Sequence, residues 1–163
     1  MTTSELLYFA YGSNMVSSRL QSRVPSARAL TTARLPDFQL AFRKLASDGS
    51  TKCDLEPTPG AITWGVVYRL DADERDGLDA AEGAGYRRET VQVTSGDGYE
   101  QFEAYTYRAN ADWVGDGRPW VWYRDLVAAG AGEHELPAPY VAGIEAIDAD
   151  PDPDADRAAA NSP

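Results

Sequence analysis

A buried strand that stops abruptly in a glycine turn constrains this chain more than any other stretch. Residues 6–15 read LLYFAYGSNM, an apolar and aromatic run that breaks into Gly12, Ser13 and Asn14. Residues 6–10 have the composition of a short buried strand. The stretch that follows, SNMVSSRLQSRVP, spaces Met15, Val16, Leu20 and Val24 near the helical period and ends at Pro25, which predicts a helix fed directly by the strand. Such a junction leaves backbone N–H groups without internal partners. Together with the helix dipole they suit an anion. Glycine permits close approach, while Ser13 and Asn14 offer side-chain donors or a helix cap. One glycine is too few to wrap a di- or triphosphate, so a single carboxylate is the expected occupant. An ordinary helix cap accounts for the same residues with no ligand at all.

The rest of the chain alternates strand and helix signals. Residues 28–34 and 38–43 read as two strands separated by Pro36-Asp37, and KLASDGSTKCDLEPTPG (44–60) as a loop with one extended segment. AITWGVVYRL is the strongest strand, β-branched and aromatic throughout. DADERDGLDAAEG predicts a short acidic helix with Asp71 as N-cap and Gly83 as its stop. Residues 87–94 and 100–108 predict a hairpin around Ser95-Gly96-Asp97-Gly98. A helix entered by Pro119 and left near Gly130, then a last helix behind prolines, complete the folded part. The tail, residues 148–163, has no apolar periodicity and is expected to be disordered. This order of elements predicts an α+β fold with one small, mixed, strongly curved sheet or barrel flanked by helices.

Charge and cysteine content narrow the function classes. The 163 residues suffice for one domain with a proper core. A formal net charge of -11 repels phosphate backbones and argues against nucleic acid as a partner. No apolar run approaches the ~20 residues of a membrane span, and no signal peptide is evident. Cys53 is the only cysteine, and a cytoplasmic location follows. Lys44 and Lys52 are the only lysines. A surface of this kind suits a salt-rich cytoplasm, and a GC-rich genome yields the same composition without selection. His134 lies between acids in GEHELP with no second histidine or cysteine pair, so no metal site is expected and a solvated loop residue is. Cys53 is expected to be a small buried residue.

Glu82 is the acid that stands out. In LDAAEGAGYRRETV it sits among alanines and glycines at a helix end, whereas Asp71, Asp73, Glu74 and Asp76 belong to a solvated face. Small apolar neighbours leave room for a ligand and little water, and desolvation would raise the carboxyl pKa toward that of a useful base. An isolated glutamate taken alone is more often a surface charge.

The motifs YFAYGSNM, ARLPDFQLAF, WGVVYRL, LDAAEG and YRDLVAAGAGEHELPAPYVAGIEAI occur in the order and approximate spacing of the γ-glutamylcyclotransferase family, which the chain resembles over roughly residues 6–148. The resemblance implies a small mixed β-barrel with helices, and residues 1–147 as the catalytic domain. It implies conversion of γ-glutamyl amino acids or peptides into 5-oxoproline and the free amine, with no metal or cofactor. Carried onto this sequence, the glutamyl pocket is walled by Tyr8, Phe9, Ala10, Tyr11, Gly12, Ser13 and Asn14, and Glu82 is the catalytic acid/base. Tyr123 helps close the pocket, with Tyr86 and Tyr105 as further pocket tyrosines, and Tyr107 able to take the place of Tyr105. The implied partner is a small-molecule γ-glutamyl substrate, for a monomer or homodimer. Two alternatives stay open: a γ-glutamyl amine or a γ-glutamyl-protected biosynthetic intermediate as substrate, and a non-catalytic binding module on the same fold.

Overall fold

In the computed structural model, which describes residues 4–163, β1 (Glu5–Ala10) enters the core with Tyr8, Phe9 and Ala10 buried. Residues 1–3 of the predicted domain lie outside the described residues. β1 pairs antiparallel with the far half of β3 (Thr51–Asp71), and β3 pairs antiparallel with β2 (Arg28–Leu45) along most of their lengths. β2 touches β4 (Tyr86–Ser95) through two residue pairs only, and β4 forms a hairpin with β5 (Gln101–Ala109). A single parallel pairing, Tyr8 with Tyr105, returns β5 to β1 and closes a barrel in the order β1-β3-β2-β4-β5. The Thr106 hydroxyl donates to the Phe9 carbonyl at 2.7 Å across this junction. The predicted mixed barrel with flanking helices is therefore the fold.

Several local expectations change. Residues 51–60 are not a loop but the first half of β3, and only the turn over 46–50 separates it from β2. The turn formers that suggested a loop sit in a bulge: Phe38 pairs with Pro57 and Pro36 with Ile62, so residues 58–61 loop out opposite Asp37. The Gly60 amide donates to the Asp37 carboxylate there at 3.0 Å. A bulge absorbs proline and glycine that a regular ladder would reject. Pro36-Asp37 likewise bends β2 without ending it. Asp71 makes no side-chain cap, and its own amide donates to the Ser26 hydroxyl instead.

The expected helix over residues 13–25 divides. Ser13–Met15 form one 3-10 turn, and α1 runs from Ser17 to Arg23. α2 (Arg75–Glu82) ends at Gly83, whose φ of 87° no ordinary residue adopts without strain. α3 (Val121–Glu133) buries Trp122, Tyr123, Leu126 and Val127 and continues past Gly130. Gly130 lets α3 lie directly on the 3-10 turn, because a Cβ there would stand 2.6 Å from the Met15 Cβ. His134 is not a solvated loop residue: its Nε2 lies 2.9 Å from the Met15 carbonyl and 3.1 Å from the Tyr68 hydroxyl, tying the end of α3 to the same turn. α4 (Ala138–Glu145) follows.

The expected disorder from Asp148 onward is also overturned. The Asp150 carbonyl accepts from the Val121 amide at 2.9 Å, capping the start of α3. Asp152 accepts from the Trp122 indole at 2.9 Å and from Arg157 Nε and Nη2, both at 2.6 Å, before α5 (Ala155–Asn161). Polar groups hold this segment, with Ala158 alone reaching the core, so its composition carries no apolar signal. Removing residues 149–163 should lower Tm, because a lost helix-start hydrogen bond costs about 0.5–2 kcal/mol. In a chain of this size that means about 2–4 °C per kcal/mol. Arg157 and Trp122 hold the Asp152 carboxyl below its usual range. Its stabilising share is thus present above about pH 4 and lost as pH falls through the depressed value. A truncated protein that melts like the full chain, measured by calorimetry at pH 7, would show that the segment contributes nothing.

Candidate active site

Three elements meet at one end of the barrel. The turn after β1 brings Gly12, Ser13 and Asn14, the end of α2 brings Glu82, and the first half of β3 brings Cys53. All five line one cleft, whose remaining wall is tyrosine: Tyr8, Tyr11, Tyr86, Tyr107 and Tyr123. Met15 and Val16 N–H groups close the turn onto the Gly12 and Ser13 carbonyls. The amides of Gly12, Ser13 and Asn14 precede these bonds, and among the described residues they have no acceptor within the protein. The donor set expected of the turn is present, though it belongs to a 3-10 turn and not to an α-helix start. Gly12 also has a packing reason, since a Cβ there would lie 3.2 Å from the Cys53 Cβ and 3.6 Å from the Tyr123 hydroxyl.

Asn14 is no helix cap. Its buried side-chain nitrogen donates to Glu82 Oε1 at 2.6 Å and to the Tyr8 hydroxyl at 3.1 Å, while its oxygen accepts from Arg23 Nη1 at 3.2 Å. This fixes the Glu82 carboxylate at the cleft with one oxygen engaged. Burial pushes the Glu82 carboxyl above its ordinary value, against the opposing pull of Arg23, the Asn14 bond, Lys52 and Arg19. The surrounding groups titrate higher still. Burial pushes the Cys53 thiol up to about 12 and raises Tyr8, Tyr11, Tyr86 and Tyr123 well above the ordinary phenol value. Around neutral pH these phenols stay protonated and are donors, and among the described residues Glu82 is the one carboxylate lining the cleft.

Tracking the phenol protons separates the tyrosines. Tyr11 donates to the Tyr107 carbonyl at 2.5 Å, Tyr107 to Asp79 at 2.5 Å, and Tyr86 to the Cys53 carbonyl at 2.6 Å. Their protons are committed. Tyr123 instead accepts from the Cys53 amide at 3.2 Å, and Tyr8 accepts from Asn14. A hydroxyl carries one proton and two lone pairs, so Tyr8 and Tyr123 keep a proton for a ligand. These two phenols can stabilise an oxyanion.

Three expected pocket residues stand outside the cleft. Phe9 and Ala10 are fully buried in the core beneath it. Tyr105 stacks on Tyr8 with ring centroids 5.2 Å apart and props it from behind, and Tyr107 takes the lining position. Cys53 lines the cleft as well as being buried, a placement its sequence context gives no hint of. Arg19, Arg23 and Lys52, whose charges reach Glu82, escaped sequence reasoning too. Their available signal was an arginine pair at helical spacing directly after the turn.

Comparison with known proteins fits this geometry. Residues 63–144 match the AIG2-like family. The chain is 32% identical over 152 residues to the γ-glutamylcyclotransferase of Homo sapiens, covering 87% of this chain and 78% of that protein. It is 31% identical over 150 residues to the γ-glutamylcyclotransferase of Mus musculus, with the same coverage. A solved structure described as a γ-glutamyl cyclotransferase superposes with a TM-score of 0.84 at 28% identity, covering 90% of both chains. A barrel of this topology, with that extent of sequence identity, has one assignment: the chain belongs to the γ-glutamylcyclotransferase family of enzymes, within the AIG2-like group.

Proposed function

We propose that this enzyme cyclises γ-glutamyl amino acids or peptides to 5-oxoproline, releasing the free amine, with Glu82 as general acid/base. The observation that carries the proposal is the pairing of a desolvated carboxylate with three unpartnered amides in one cleft. The amides of Gly12, Ser13 and Asn14 suit the substrate α-carboxylate, which fixes where the α-amine points. The α-amine enters neutral, and as its nitrogen attacks the side-chain carbonyl carbon of the same residue Glu82 takes one of its two protons. A C–N bond of the five-membered lactam forms while charge gathers on the carbonyl oxygen, where the Tyr8 and Tyr123 hydroxyls donate. As that oxygen recloses its double bond, the C–N bond to the leaving amine breaks, and Glu82 returns the proton to the departing nitrogen. Holding amine and carbonyl together supplies roughly 7–11 kcal/mol of the barrier. The work of the protein is orientation, one proton relay and an oxyanion site.

The enzyme acts in the cytoplasm, where a free thiol such as Cys53 stays reduced. The test is incubation of purified protein with γ-glutamyl-alanine, following both products. Equal amounts of 5-oxoproline and alanine are expected. A protein that binds γ-glutamyl compounds yet releases no 5-oxoproline from any of them would be a binding module.

A further inference from the structure

The amides, Glu82 and the two phenols account for the glutamyl half of a substrate and leave the departing half unassigned. Beside the cleft, α1 carries Arg19 and Arg23 one helical turn apart, and β3 brings Lys52. Arg23 reaches Asn14 at 3.2 Å, and Asn14 in turn holds Glu82 at 2.6 Å. Lys52 Nζ stands 5.8 Å from the ring centre of Tyr123. Arg19 acts electrostatically on both Tyr123 and Glu82, and its Nε is buried without a hydrogen-bond partner. Three cations therefore stand behind the lining residues of the cleft, close enough for all of them to act on Glu82.

None of the three forms a salt bridge among the described residues, in a chain with 26 acidic residues. Among the described residues eight other arginines form salt bridges; Arg28, Arg34 and Arg75 form none either, and what sets Arg19, Arg23 and Lys52 apart is that all three act on Glu82. Like charges at i and i+4 on a helix repel. Arg23 regains something at the C-terminal end of α1, whereas Arg19 in the middle does not. Asp48 offsets Lys52 in part. Lys44 is a different case, because its ammonium is taken up between the Tyr86 and Trp113 rings at 4.9 and 4.8 Å. What remains is a partly desolvated cluster of three cations set against Glu82 and Asp48, with positive charge left over for an anionic ligand.

We infer that Arg19, Arg23 and Lys52 are specificity-determining residues that hold a carboxylate carried by the leaving amine. The inference rests on the cyclotransferase reading of the cleft and adds a selection within it. In an α-amino acid leaving group the carboxylate is attached one carbon from the departing nitrogen, so it lies at the same cleft. A simple amine offers the cluster nothing, and a cationic one is repelled.

The test compares γ-glutamyl-alanine with γ-glutamyl-ethylamine, which differ only by that carboxylate. Wild-type kcat/KM should favour the alanine conjugate by about tenfold to a hundredfold, the range of a charge-assisted hydrogen bond. Raising potassium chloride from about 0.05 to 0.5 M should shrink the preference. Arg19→Ala and Lys52→Ala should each reduce the ratio, and Arg19→Lys should restore more of it than alanine does. Equal kcat/KM for the two conjugates in the wild type would overturn the inference without touching the cyclotransferase reading. A preference retained in both alanine variants would overturn the residue assignment. Inactivity of the wild type on both conjugates would instead remove the reading on which the inference rests.

Discussion

Glu82→Gln is expected to turn over a γ-glutamyl dipeptide about 10²–10⁴-fold more slowly than the wild type, the usual worth of a positioned acid/base. Substrate binding should largely survive, since the Gly12–Asn14 amides are untouched. Glutamine keeps the oxygen that accepts from Asn14, so the local hydrogen bond persists. The same substitution should leave the protein as stable as before at low pH and more stable at high pH. Burial raises the Glu82 carboxyl in the folded protein, so the fold holds this proton more tightly than the unfolded chain does. Its contribution is complete below the unfolded value near 4.3 and is lost as pH rises through the folded value. Above that, the buried charge opposes folding, and glutamine removes it. Melting curves of both proteins at about pH 4 and pH 8, beside steady-state rates, check the two halves together. A folded variant with the wild-type rate would end the case for Glu82. The wild-type rate itself should rise as Glu82 ionises and again as the substrate amine, near 7.7–8.0, loses its proton.

Removing either free phenol proton should carry the next largest effect. An oxyanion donor is worth about 10²–10³ in kcat, so Tyr8→Phe and Tyr123→Phe should each lose about that much. The two variants differ in stability. Tyr123→Phe leaves the buried Cys53 amide without its acceptor, a loss of about 1–3 kcal/mol. Tyr8→Phe leaves the Asn14 nitrogen still bonded to Glu82. Tyr11→Phe is the control, because its proton already belongs to the Tyr107 carbonyl. If Tyr11→Phe and Tyr123→Phe slow turnover equally, the distinction between free and committed protons does not govern the rate.

What was legible in the sequence was whatever rests on local signals. The run from Leu6 into Gly12 announced a strand and a donor-rich turn, and AlaAlaGluGly announced an acid with little water around it. The hairpin of β4 and β5 was equally local. The first half of β3 was not, because its prolines and Gly60 read as loop until β2 pairs beside them and the bulge absorbs them. Cross-strand pairing overrode composition there. The choice between Tyr105 and Tyr107 could not be made from spacing, since residues two apart share a strand face. The final segment misled for a related reason, being held by Asp152, Arg157 and one carbonyl where a sequence scan looks for apolar periodicity.

The single parallel pairing that closes the barrel has a kinetic consequence. Phe9 and Thr106, joined across that seam, are 97 residues apart in sequence, so closing it means closing a long loop of chain. β1–β3, β2–β3 and β4–β5 form by antiparallel pairing, and the seam is left as the slow, non-local step. Tyr8 stands on one lip of the seam and Tyr107 near the other. The β1–β5 seam should therefore close late, and amide exchange there should be faster than along the long β2–β3 ladder. A ligand seated between Tyr8 and Tyr107 would act as a clasp on that seam and stabilise the closed barrel by mass action.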